Sequence, residues 1–139
     1  MNKVSEYARG CARLAIGFSF LASGILHATR PYFFAHAIQR YQLTDFEQTG
    51  FLANIIPLGQ LTIGMFLLLR VWERSMLVCS AVVLGAFTIT GIFALSNHLS
   101  ISCGCWGDYS PELSITHVCI TGLCSGLCLF FSSTVRVSQ

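Results

Sequence analysis

The sequence is short of charge. Eight basic and six acidic residues make up 10% of the 139 positions, against 54% hydrophobic residues, and mean hydropathy is +0.68. A water-facing surface needs roughly 25–35% charged residues, so a soluble globular domain is excluded. No run of like charges occurs, and a net charge of +2 carries no sign of a nucleic-acid surface. Also absent are a phosphate-binding glycine loop, a hydrolase triad and paired carboxylates, which leaves nucleotide, acyl-transfer and glycosidic chemistry without their usual residues.

What the chain has instead is long apolar runs. A hydrocarbon core of about 30 Å takes roughly 20 helical residues to cross, and four such runs are present, at about 8–28, 51–69, 75–95 and 113–131. The last two contain no Asp, Glu, Lys or Arg. None shows the alternation of a barrel strand, and in lipid only helices then satisfy their own backbone. The expected fold is all-α, a single-domain integral membrane four-helix bundle over residues 1–139 with the lipid bilayer as its first partner. Arg9 and Arg13 stand near enough to the start of the first run to snorkel to headgroups. A rival reading makes Lys3, Arg9, Arg13 and the stretch Leu14 to Leu26 a signal peptide cut near Ala22, Ser23 and Gly24. No polar mature domain follows, which favours a first membrane helix.

Basic residues orient the bundle. With the N-terminus inside, Lys3, Arg9, Arg13, Arg70, Arg74 and Arg136 are cytoplasmic and only Arg30 and Arg40 face out. The positive-inside rule then sets both termini in the cytoplasm of a bacterial inner membrane. After the first run, Pro31, Tyr32, Phe33, Phe34, Ala37, Ile38 and Tyr41 give a short helix lying along the outer interface. Gln42 to Gly50 reads as an exposed connection, and Arg70 to Arg74 as a tight link that makes its helices antiparallel neighbours. Pro57, near Asn54 and Gln60, predicts a kink with polar side chains turned inward. Gly122 with Gly126, and Ser19 with Ser23, predict close packing faces on the fourth and first helices.

Seven cysteines are present. Cys11, Cys79, Cys119, Cys124 and Cys128 fall within helices, where cysteine acts as a small apolar residue. Cys103 and Cys105 are different, because they stand in Ser102-Cys103-Gly104-Cys105-Trp106-Gly107 at the outer mouth of the third helix. Two thiols on an oxidising face pair or exchange. A disulfide across one residue departs from relaxed geometry and is readily reduced. Gly104 allows the tight bend, and Trp106 belongs among headgroups. All four histidines, His27, His36, His98 and His117, fall on that same side. His27, His98 and His117 are placed to converge on the pair, either to lower a thiol pKa or, with Cys103, Cys105, His98 and His117 as ligands, to hold copper or zinc.

These pieces resemble the MauE/DoxX-like family of redox-associated membrane proteins, related to the MauE protein of methylamine utilisation. The resemblance rests on Phe20, Gly24 and Ile25; on Pro31, Phe33, Ile38 and Tyr41; on Pro57, Leu61 and Gly64; and on Cys103-Gly104-Cys105-Trp106-Gly107, where the family more often has Phe at the Trp106 place. The family pattern tends to carry Lys near the end of the first helix and Glu after the proline of the second. Here those places hold His27 and Gln60, so an intramembrane ion pair is missing. The resemblance implies help in disulfide formation or maturation of exported redox proteins.

The leading expectation is therefore a thiol-disulfide oxidoreductase whose Cys103 and Cys105 exchange with an exported client or thioredoxin-like partner. Electrons would leave through a quinone, with a site beside Asn54, Pro57 and Gln60, or through another thiol protein. The alternatives are a non-enzymatic scaffold subunit and the outward Cys/His metal site.

Overall fold

The structure, a computed structural model, describes residues 3–99 and 113–134. These form five helices: α1 Lys3–Thr29, α2 Pro31–Arg40, α3 Phe46–Leu68, α4 Glu73–Ser96 and α5 Ile115–Thr134. α1, α3, α4 and α5 are each long and apolar enough to cross a membrane, and there is no strand among the described residues. The helical class and the short extra helix after the first span stand as expected. Cys103 and Cys105 lie outside the described residues.

Local chemistry sets the boundaries. Arg30 precedes a proline and sits outside the helical region at φ −134° and ψ 62°, as expected where the proline ring disfavours the α region for its neighbour. Pro31 then occupies the first turn of α2, where its missing N–H costs nothing. α3 starts earlier than expected, at Phe46, so the end of the segment read as an exposed connection is helical. Asp45 sits extended at the N-cap, and its carbonyl accepts from both the Thr49 N–H and the Thr49 hydroxyl. Glu47 in the first turn adds a charge that suits the helix dipole. α3 continues past Pro57, which is buried within it.

The helices pack as two antiparallel pairs, α1 on α3 and α4 on α5, joined by a thinner α3–α4 contact, while α2 lies against α3. The α1–α3 seam is built on glycine. A Cβ on Gly64 would stand 2.8 Å from Leu21 Cγ and 2.9 Å from the Gly17 carbonyl oxygen, and one on Gly24 would stand 3.1 Å from the Leu61 backbone nitrogen. Small residues of this kind let helix backbones approach in a bilayer, where no hydrophobic force drives helices together. On the other pair, Gly91 faces Val118 and the Ser125 hydroxyl donates to the Ala81 carbonyl at 2.8 Å.

Two packing expectations change. Gly126 has nothing within 4 Å of an added Cβ, and only Gly122 of that motif faces a helix, through Thr88. Ser19 is exposed and is not on the close face of α1. Gly17 and Gly24 are, and Ser19 sits two residues on from Gly17, about 200° around the helix.

Arg13 also departs from the snorkelling expectation. It is buried, and its Nη1 donates to the carbonyls of Leu67 and Leu68 at the end of α3. A helix end within apolar surroundings leaves carbonyls without partners, and the guanidinium supplies donors that water cannot. Arg9 stays near the surface and pairs with Glu73 of α4 at 3.7 Å. Arg13→Leu is expected to lower stability by about 1.5–3 kcal/mol, the usual worth of a charged hydrogen bond, as a lowered thermal midpoint in detergent micelles. An unchanged midpoint would mean that the end of α3 needs no cap.

Candidate functional site

The polar centre of the bundle is a pair of side chains 33 positions apart. His27, near the end of α1, is 1% exposed, and its Nδ1 lies 3.0 Å from Oε1 of Gln60 on α3. Gln60 is buried as well. The imidazole stacks on Phe34 of α2, with ring centroids 3.9 Å apart and planes 14° from parallel. A buried amide or imidazole without a partner costs free energy, so each side chain stabilises the burial of the other. The stack fixes the ring orientation and with it the hydrogen bond. The two places where the resemblance expects Lys and Glu are thus in contact, as a His–Gln hydrogen bond in place of an ion pair.

Two cavities flank this pair in the seam between the helix pairs. One, of about 220 Å³, is bounded by α1, α3, α4 and α5 and lined by Ser19, Ser23, Gln60, Phe87, His117 and Thr121 among others. The other, of about 420 Å³, is bounded by α2, α3 and α4 and is mostly aliphatic, with Ile38, Tyr41, Ile56, Gln60, Val83 and Phe87 in its wall. Gln60 and Phe87 belong to both walls. Burial raises the Tyr41 phenol above its ordinary value of 10.0, which keeps it a neutral O–H at physiological pH.

The expected site residues fall out as follows. Gln60 lies where the kinked-helix reading put it, turned into the bundle. Asn54 is exposed and donates to the Gly50 carbonyl of its own helix at 2.8 Å, so the two are not brought together. His117 reaches the cavity wall beside Gln60, while His36 and His98 are exposed. Among the described residues, no three His, Cys, Asp or Glu side chains gather as a metal site would require. Of the five helical cysteines, all free thiols, Cys128 is buried, Cys124 is half-buried and Cys11, Cys79 and Cys119 are exposed. The parts that sequence reasoning missed are the Phe34 stack, the cavity-lining serines and the α2 wall of Ile38 and Tyr41. For Ile38 and Tyr41 the signal was present as the apolar face of α2.

Four spanning helices, a short extra helix after the first and a buried polar pair between α1 and α3 define a polytopic α-helical membrane protein. The family described as methylamine utilisation protein MauE matches residues 5–135, nearly the whole chain. The chain belongs to the MauE family. No curated protein and no solved structure gives a significant match.

Proposed function

We propose that the protein is a thiol-disulfide redox helper that acts on exported redox proteins through Cys103 and Cys105. The carrying observation is the Cys103-Gly104-Cys105 spacing in the segment joining α4 to α5 of a MauE-family membrane protein. A ring closed across one residue is strained, so its sulfurs are attacked readily. A client thiolate attacks one sulfur, the S–S bond breaks and a mixed disulfide forms. A second client thiolate then displaces that sulfur, leaving the client oxidised and Cys103 and Cys105 as two thiols. The family's description suggests methylamine utilisation as the setting in which such a client matures.

The pair faces outward in this reading. Support comes from the basic residues, of which Arg9 and Arg13 gather with the end of α3 and the start of α4 at one end of the bundle, opposite the end that the Cys103 segment leaves. Labelling intact cells with a membrane-impermeant maleimide, with and without prior reduction, tests function and orientation together. The expected result is a mixture of dithiol and disulfide at Cys103 and Cys105, reached without permeabilisation. A pair that is always oxidised would overturn exchange in favour of a structural role, and labelling only after permeabilisation would overturn the orientation.

A further inference from the structure

We propose that the 420 Å³ cavity between α2, α3 and α4 seats the ring of a membrane quinone, with the Gln60 carboxamide donating to a ring carbonyl and His27 holding that carboxamide in place. The inference rests on the thiol reading for its purpose. It stands on its own geometry for the binding.

The cavity wall is aliphatic and aromatic apart from Tyr41, Thr44, Gln60 and Thr90, and the two threonines are already used. The Thr90 hydroxyl donates to Ala86 and Phe87 carbonyls, and Thr44 is bonded to Thr49. The Tyr41 hydroxyl and Gln60 are the exceptions. The Gln60 Oε1 is held by His27, and no hydrogen bond takes up the Gln60 amide nitrogen among the described residues. An apolar space whose outstanding donors are an amide N–H and the Tyr41 O–H selects an apolar molecule that carries acceptors. A saturated acyl chain fills the volume but leaves the amide unmatched, whereas a quinone ring offers carbonyl oxygens. The volume falls in the range of small-molecule sites, about 300–1,000 Å³.

His27 acts as a positioning residue. With Nδ1 bonded to Oε1 and the ring stacked on Phe34, the carboxamide is fixed so that its nitrogen, not its oxygen, is the free end. The redox balance closes with such a ligand. Oxidation of the Cys103 and Cys105 thiols to one disulfide releases two electrons and two protons, and a quinone takes up both of each to become a quinol.

The test is equilibrium binding of a short-tailed ubiquinone analogue to the full-length protein in detergent micelles, with a hydrocarbon of matching size as competitor. Gln60→Leu keeps the volume and removes the donor, and should weaken quinone binding about tenfold while leaving the hydrocarbon unaffected. Ala86→Phe fills the cavity from the α4 side and should abolish binding of both. His27→Leu should weaken quinone binding and His27→Asn restore part of it, a rescue that a merely structural role would not give. Quinone binding to Gln60→Leu as tight as to wild type, or equal displacement by the hydrocarbon, would overturn the proposal and make the cavity an acyl-chain slot. The same titration on the double Cys103→Ser, Cys105→Ser variant separates the two readings. Binding retained there supports the quinone seat whatever becomes of thiol exchange, and binding lost in wild type overturns the seat alone.

Discussion

Serine at both Cys103 and Cys105 is expected to reduce client disulfide formation to background while the protein still inserts and accumulates. The reason is chemical: exchange proceeds by thiolate attack on a disulfide sulfur, and a hydroxyl takes no part in it. Single replacements should behave differently from the double one. A lone remaining thiolate attacks or is attacked but has no neighbour to resolve the adduct, so a mixed disulfide with the client accumulates and is visible on a non-reducing gel. Cysteines of α5 provide the comparison. Cys119 is exposed and Cys128 fully buried, so Cys119→Ser should be close to neutral, and Cys128→Ser should cost about 1 kcal/mol of packing and polar burial with exchange intact. A double variant that matures its client as well as wild type does would make thiol exchange the wrong mechanism.

Alanine at Gly64 should produce the largest loss of stability from a single added methyl group. Its Cβ would meet the Gly17 carbonyl oxygen and the Leu21 backbone nitrogen, both at 2.9 Å. Neither is the movable tip of a side chain. α1 and α3 would have to separate, and overpacking of this kind costs about 1–3 kcal/mol. The loss should appear as a lower unfolding midpoint in detergent. Separation also moves His27 away from Gln60, so quinone binding should weaken in parallel. Gly126→Ala is the control, since nothing lies within 4 Å of its added Cβ and alanine favours a helix by about 1 kcal/mol over glycine. Equal midpoints for Gly64→Ala and wild type would show that the seam is looser than its contacts imply.

How much was legible differs from residue to residue. The spans could be read because hydropathy adds up along the chain without reference to what packs where, and the four helices fall where the four runs do. The start of α3 was harder. Phe46 to Gly50 is polar enough to pass for a loop, and its helix depends on the Asp45 carbonyl gathering two donors from Thr49. Ser19 and Ser23 have the same four-residue spacing as a packing motif, yet spacing says only that two residues share a face. It does not say which face a neighbour will cover.

The sequence by itself determined that this is a helical membrane protein of four spans, and that Cys103 and Cys105 stand apart from the five helical cysteines. Those properties follow from local composition and from order along the chain. Tertiary structure alone decided that Arg13 turns inward to the end of α3, that the His27 ring stacks on Phe34, and that Asn54 turns back on its own helix. These depend on how far each helix is rotated and shifted against the next, which is set where Gly17, Gly24 and Gly64 bring two backbones into contact. The cavity beside Gln60 belongs to no single segment. It is the space left between two tightly packed pairs that meet along a thinner seam, and only the packed bundle has it.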